Sequence, residues 1–422
     1  MALDTKVPMG EPEAMRWASE LEDVGFVRRI LMARKWYHAD WWFVTISAVM
    51  VVGFIVLALV PQVFASFSPQ EQVGPRYLAP GESPDVEALI APVDSGFSTV
   101  GDLAVGERIS VAVVMGEPSS EAVRDESDRV NAAFKEQGID AQVSLRIERY
   151  ETLDAALTGI LDGDVAVAIS SSKAFEELAE NYPTLNDVGP VAPGANTRSF
   201  PLGTNQLGQD VLSRLIWGTR IALIIGFSSS LVSLFIGVPL GLFAGFTGGK
   251  IDRALTVLMD SLYAFPGLIL AIAITAVLGP SIFNVIVAIA VLYIPTYFRI
   301  VRGQTLSVKE SLYVEAARSL GAKARVILSR YVYPNVIPSV AIIFSVNVAD
   351  AILTGAGLSF LGLGLPPTTP DWGIDLARGQ ETIQTAWWLI TFPGVAVMLV
   401  VLAFTMMGEG LMEIFNPKLR ER

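Results

Sequence analysis

The stretch 313-YVEAARSLGAKARVILSRYVYPNVIP-338 lies between two segments apolar enough to live in lipid, yet it carries Glu315, Arg318, Lys323, Arg325 and Arg330. Those charges bar it from being a membrane span. Its residues read as two short helices broken at Gly321, with Pro334 at the entrance to the next apolar run. The stretch is a helix-turn-helix held at a membrane surface.

The rest of the chain supports that setting. Of 422 residues, 52% are hydrophobic and 17% charged, and the mean hydropathy is +0.50. Such a balance marks a polytopic membrane protein. A helix needs about 20 apolar residues to cross the hydrocarbon core. Six segments qualify: 41–65, 219–246, 254–279, 281–300, 336–358 and 387–408. The first follows some 40 mixed residues and ends in VPQVFASF without a small-residue cleavage pattern, so it reads as a retained span rather than a signal peptide.

Cysteine is absent and His38 is the one histidine. Thiol chemistry is excluded, and a catalytic triad or histidine-rich metal site would rest on that single residue. No catalytic and no metal-binding residue is expected. GFTGGKI (245–251) approaches a phosphate-binding loop, but Ala244 stands at the first glycine position and Ile251 replaces the hydroxyl residue. Energy must therefore come from another protein.

Charge sets the topology. Residues 66–217 hold 24 acidic against 10 basic residues, so the surplus of 14 negative charges belongs to one hydrophilic region. Basic residues cluster instead at Arg28, Arg29, Arg34 and Lys35, at Lys250 and Arg253, around the opening stretch (Arg299, Arg302, Lys309), and at Lys418, Arg420 and Arg422. Short basic loops stay in the cytoplasm. These are alternate segments of a six-span chain, which places both termini and 301–337 in the cytoplasm. Region 66–200, the loop 279–282 and region 359–386 fall outside. Trp41, Trp42, Trp387 and Trp388 sit at the proposed interfaces.

The expected organisation is a cytoplasmic segment 1–40, a first span 41–65, an extracytoplasmic region 66–200, a helical core 201–415 and a cytoplasmic tail 416–422. Within the outer region, 66–106 reads as an irregular connector rich in Pro, Gly and Ser. Strands at 109–115, 141–148 and 164–170 alternate with helices at 119–138, 152–163 and 171–183, a small α/β domain over about 107–195. It serves as an insert that contacts a partner or as a ligand-binding lobe; ALTGILDGDVAVAIS (156–170) is similar to a stretch of solute-binding proteins. The fold class is thus an all-α polytopic membrane protein with an extracytoplasmic α/β insert between helices 1 and 2.

Three motifs carry a family resemblance. Glu315, Ala316, Ala317, Gly321 and Pro334 fit EAA-x3-G-x9-I-x-L-P, with Tyr331 and Tyr333 in place of Ile and Leu. This resembles the EAA loop through which permeases of binding-protein-dependent ABC importers dock on their ATPases, the small Ala face permitting close approach. GAGLSFLGLGLPPTTPDWG (355–373) and PLGTNQLGQDVLSRLIWGTRIAL (201–223) resemble the C-type permease of dipeptide, oligopeptide and nickel importers. The second stretch reads as an amphipathic helix, with Gly203, Gly208, Asp210 and Arg214, leading into span two. Asn205 and Gln209 stand where that family has Asp and Arg. Gly355 stands where it often has Glu.

The resemblance implies a homologous B-type permease, two ABC ATPases that hold the ATP and Mg, an extracytoplasmic solute-binding protein, and a place in the cytoplasmic membrane. It implies no cofactor on this chain and no nucleic-acid partner. Pathway or outer-mouth candidates are Asp350, Gly355, Ser359, Phe360, Gly362, Gly364 and Trp372. Asp350 is the one acid deep within a span; intramembrane charge faces a cavity or pairs with a neighbour, and both readings stand. The implied activity is ATP-driven import of peptides. The alternatives are import of nickel or another small solute, and a membrane-anchored sensor with an external receptor domain. A secondary transporter would show inverted repeats and more ionisable groups in its spans.

Overall fold

The structure, a computed structural model, describes residues 38–97, 100–103, 108–115, 119–136, 143–191 and 198–415. The basic residues Arg28, Arg29, Arg34 and Lys35, the tail with Lys418, Arg420 and Arg422, and most of the exit from the outer region at 190–196 lie outside the described residues. So does the Trp41 side chain. The chain divides into two compact units. One runs from the described N-terminal residues to Gln72 and from Gln209 onward; the other is Val73–Gly208.

In chain order the elements are α1 (His38–Leu59), β1 (Glu87–Pro92), β2 (Ile109–Val114), α2 (Ser119–Glu136), β3 (Leu145–Tyr150), α3 (Leu153–Leu161), β4 (Val167–Ser171), α4 (Ser172–Leu178) and β5 (Leu185–Pro190). Then follow α5 (Val211–Thr247), α6 (Gly249–Tyr263), α7 (Gly267–Leu278), α8 (Ile282–Lys309) and α9 (Leu312–Ser319). The last three are α10 (Ala324–Phe360), α11 (Trp372–Gln380) and α12 (Trp388–Phe415).

The unit Val73–Gly208 is a mixed five-stranded sheet in the order β3-β2-β4-β1-β5. β2 pairs in parallel with β3 and β4, whereas β1 runs antiparallel to both β4 and β5. Alternation along the strands feeds two cores. Ile90, Ala112, Val114 and Ala168 join Leu157 and Phe175 on one face, while Leu89, Val111, Val113 and Ile169 pack on the other with Val143. The sheet begins earlier than residue 107, because β1 lies inside the segment expected to be an irregular connector. It also gains β5, whose polar LNDVGP run carries no strand periodicity. β5 is an edge strand, where Pro190 and exposed Asn186 and Asp187 are tolerated.

In the other unit, α5, α8, α10 and α12 are long and apolar enough to cross a membrane. Three expectations change here. The third span is broken: α6 and α7 are bent by 85° at Ala264–Pro266, where proline removes a helical N–H. The amphipathic helix and the second span are one 37-residue helix, α5, starting at Val211. The apolar part of α1, Val44–Leu59, is shorter than a full span, and Pro61 opens a separate turn rather than continuing to 65.

Small residues set the packing of α5 on α8. A Cβ at Gly237 would meet the Ile294 carbonyl at 2.7 Å, one at Gly241 the Phe298 carbonyl at 2.7 Å, and one at Gly245 the Arg302 carbonyl at 2.9 Å. One turn earlier, Ser233 donates to the Ala290 carbonyl at 2.9 Å. Spaced four residues apart, these positions form one stripe that lets the two backbones touch. The order of contacts makes α5 and α8 parallel. α10 runs against α5, Gly226 lying on Val348 and Ile352 while Val238 and Leu242 pack with Val332 and Val336. α12 runs against α10, because Ser345 donates to the Phe404 carbonyl while a Cβ at Gly408, one turn on, would meet the Ile342 carbonyl, one turn back, at 3.5 Å. Val44 of α1 touches Gly410. One end of this body therefore collects the start of α1, the ends of α5, α8 and α12, and α9.

Candidate functional site

Three sites emerge in the helical unit. The first is the charged loop. Ser311 precedes α9, and Gly321, with φ +80°, ends it in a conformation that glycine adopts without strain. α10 then starts at Ala324, passes through a π turn at Leu328–Val332 and continues to Phe360 without a break at Pro334. α9 is anchored by Val314 and Ala317, buried with Tyr297, Val301, Ile327 and Val336 or beside them. Of the two alanines in the small Ala face, Ala317 is buried within this chain and Ala316 is exposed. The outward face is Leu312 (82% exposed), Glu315, Ala316, Arg318 and Leu320 (89% exposed). Two bare leucines thus stand beside a carboxylate and a guanidinium on the exposed face of α9.

The second site joins the opposite ends of the helices. Arg214, 2% exposed, donates Nη2 and Nε to Asp375 at 2.7 and 3.0 Å, and Nη1 to the Pro69 carbonyl and Gln209 Oε1, both at 3.0 Å. Gln209 also donates to the Gln70 carbonyl at 3.1 Å. A neutral amide thus accepts from Arg214 and ties down the chain. Asp210 caps α5 through Ser213, while Gly203 and Gly208 sit in preceding turns at φ +75° and +69°. The glycine-rich stretch folds into the same end. Trp372 donates to the Leu215 carbonyl at 3.0 Å and covers Gly218; Gly364 and Gly373 lie directly on Ser359 and Ala356. Gly355 lies against Ile225. Of the outer-mouth candidates, Gly355, Ser359, Gly364 and Trp372 are buried packing residues, whereas Phe360 and Gly362 are exposed at the end of α10.

Asp371 caps α11, accepting from Ile374 N at 3.0 Å. Burial pushes its carboxyl up to about 6, well above the ordinary carboxylate value near 4. A raised folded value favours the protonated form. Its contribution is fully present below about pH 4 and is lost as pH rises through 6, on the order of 2–3 kcal/mol. Asp371→Asn keeps the capping oxygen and cannot titrate. Its melting temperature relative to the parent is expected to rise between pH 5 and 7.5; parallel pH profiles of the two proteins would refute the assignment.

The third site is a cavity of about 630 Å³ between the α6–α7 break, α8 and α10. Its lining includes Pro266, Tyr293, Thr296, Asn347, Asp350 and Thr354. Asp350 therefore stands in a cavity, apart from the other outer-mouth candidates. On α10 the positions 343, 346, 347, 350 and 354 make one stripe. Asp252 and Asp260 of α6 are taken up by Arg302 at 2.5 Å and Arg299 at 2.9 Å. The sequence reading missed the cavity wall. The Phe265-Pro266-Gly267 run inside an apolar segment was the available signal for the break. Nothing local marks Asp375, which meets Arg214 from 161 positions away.

Apolar helices, an exposed charged loop at one end and a polar cavity within are features that suit a transport permease. The family model of the binding-protein-dependent transport system inner membrane component matches residues 237–421. A glutathione transport system permease protein, GsiD, of Pectobacterium atrosepticum is 41% identical over 61% of this chain and 84% of that protein. A di/tripeptide transport system permease protein, DppC, of Pseudomonas aeruginosa is 42% identical over 52% of this chain and 73% of that protein. Among solved structures, an inward-facing MetNI methionine ABC transporter covers 47% of this chain and 96% of its own at 19% identity, with a TM-score of 0.39. The chain belongs to the family of permeases of binding-protein-dependent ABC importers, of the C-type.

Proposed function

We propose that this chain is the C-type permease of an ATP-driven importer of small peptides. The single observation that carries the reading is the orientation of α9: Val314 and Ala317 hold it to the helical body, and Leu312, Glu315, Ala316 and Leu320 are left outward for another protein. The peptide class follows from the relatives, which are named for glutathione and di- or tripeptide transport. In this reading two ATPase subunits grip α9 of this chain and the matching loop of a homologous permease. ATP and Mg belong to those subunits, and this chain catalyses nothing. Closure of the ATPases on ATP draws the loops together and turns the cavity outward, where a solute-binding protein releases its cargo. The protein sits in the cytoplasmic membrane with both termini and 301–337 inside and 73–208 outside, as the basic loops require. Asp350 lines the pathway, and the buried Arg214 end braces its outer mouth.

The test replaces the outward residues while leaving the anchors. Glu315→Lys reverses a charge on the docking face. Gly321→Asp forces a side chain into φ +80°, at a cost of about 1 kcal/mol. Both are expected to cut ATP-driven uptake at least about tenfold, which corresponds to about 1.4 kcal/mol of coupling, with the protein still inserted in membranes. Co-purification of the ATPases should fall in step. Full uptake and full ATPase association in both variants would show that α9 is not the docking element.

A further inference from the structure

We propose that Asp350 is the cation-selecting residue of the pathway, receiving an ammonium group of the passing solute; this rests on the permease reading above. Three independent features meet at one place. The first is the cavity itself, at about 630 Å³ within the size range of small-molecule sites. Among the described residues Asp350 is the sole carboxylate lining it, and no Lys, Arg or His lines it.

The second is the depth. Asp350 lies ten positions before Phe360, about 15 Å inside the end of α10 at 1.5 Å per residue. A carboxylate at such depth costs about 2.5–3.5 kcal/mol on insertion scales unless water or a cation meets it. Asp350 is exposed to the cavity rather than buried among apolar groups. The neighbouring bases are already used: Arg299 bonds Asp260 at 2.9 Å and lies over the Tyr263 ring, and Arg302 holds Asp252. The negative charge therefore has no partner in the cavity wall.

The third is the surround. One turn before Asp350, Asn347 lines the same cavity, is 3% exposed, and its Nδ2 has no hydrogen-bond partner. One turn after it, Thr354 meets the Tyr293 hydroxyl at 3.2 Å. The broken α6–α7 segment forms the facing wall, and irregular backbone at membrane depth is tolerated where it lines a cavity. A carboxylate ringed by an amide, a hydroxyl and a phenol suits a primary ammonium, which donates three charge-assisted hydrogen bonds. Gly355 underlines the placement. A Cβ there would stand 3.0 Å from Ile225 Cγ2, so an acid at 355 would be forced into the helix interface. At 350 it reaches open space.

The chain has no cysteine, which allows a test that does not require knowing the solute. Thr354→Cys places one thiol in the cavity of the complete transporter. Its modification rates by the positively charged trimethylammonioethyl and the negatively charged sulfonatoethyl methanethiosulfonates are compared with and without Asp350→Asn. A lone carboxylate should favour the cationic reagent, and its removal should lower the rate ratio about tenfold or more, since unit charges some 7 Å apart interact by a few kcal/mol at intermediate dielectric. Asp350→Glu should restore the ratio. An unchanged ratio overturns the proposal, because Asp350 is then neutralised by another subunit; so does loss of the homologous permease on purification of Asp350→Asn. ATP-driven uptake of dialanine is measured beside it. If the parent transporter does not move dialanine, the peptide reading fails while the labelling ratio still judges Asp350. If the parent moves it and Asp350→Asn moves it equally, the proposal alone fails.

Discussion

Arg214→Met is expected to lower the stability of the purified permease by about 3–5 kcal/mol, the usual cost of breaking a buried ion pair from one side. The guanidinium is 2% exposed and supplies hydrogen bonds to four groups: Asp375, Gln209 and the carbonyls of Pro69 and Thr369. Removing it leaves the Asp375 carboxylate uncompensated and the Pro69 carbonyl without this donor. Methionine matches much of the side-chain length, so the loss reads charge and hydrogen bonding rather than a cavity. The double change Arg214→Met with Asp375→Leu should recover most of that stability, because a paired charge and a pair of apolar groups are close in energy. The measurement is thermal melting in detergent across the two single variants and the double. A double variant less stable than Arg214→Met would show that Asp375 acts independently of Arg214. The network joins the start of α5 to α11, so the same variants should loosen that end of the helical unit before the α9 end.

Gly241→Leu is expected to prevent the helical unit from assembling. At Gly241 a Cβ alone would stand 2.7 Å from the Phe298 carbonyl and 3.0 Å from Val301 Cβ. Backbone atoms cannot rotate away as a side chain can, so α5 must retreat from α8 along its whole stripe. Overpacking of this kind costs about 1–3 kcal/mol where side chains give way, and more where two backbones are forced apart. The Ser233–Ala290 hydrogen bond sits on the same stripe and should be lost with it. Gly303, with open space around it, is the control: Gly303→Ala should express at parental level and gain slightly in helix propensity. Equal yield of folded protein from Gly241→Leu and Gly303→Ala would mean that the α5–α8 approach is not structural.

The helical membrane body was legible because its signal is one-dimensional. A run of apolar residues long enough to cross lipid must be helical, since no water satisfies the backbone there, and α5, α8, α10 and α12 all lie over expected spans. The charged loop was legible for the opposite reason: charged residues at helical spacing between two spans have nowhere to sit but the surface. The strands β2 and β4 and the helices α2 and α3 also announce themselves through local periodicity and caps.

Other features depend on neighbours far away in the chain. The same alanine type is exposed at 316 and buried at 317 because α9 lies on residues of α8 and α10. β5 is a strand because β1 offers it an edge, and its own sequence is polar. Gly364 and Gly373 pack directly on Ser359 and Ala356, partners that only the folded chain identifies. Asp350 could be read from sequence as a costly intramembrane charge. Only the tertiary structure decided that it faces a cavity walled by a broken helix, because burial and pairing are properties of what the chain brings together across space.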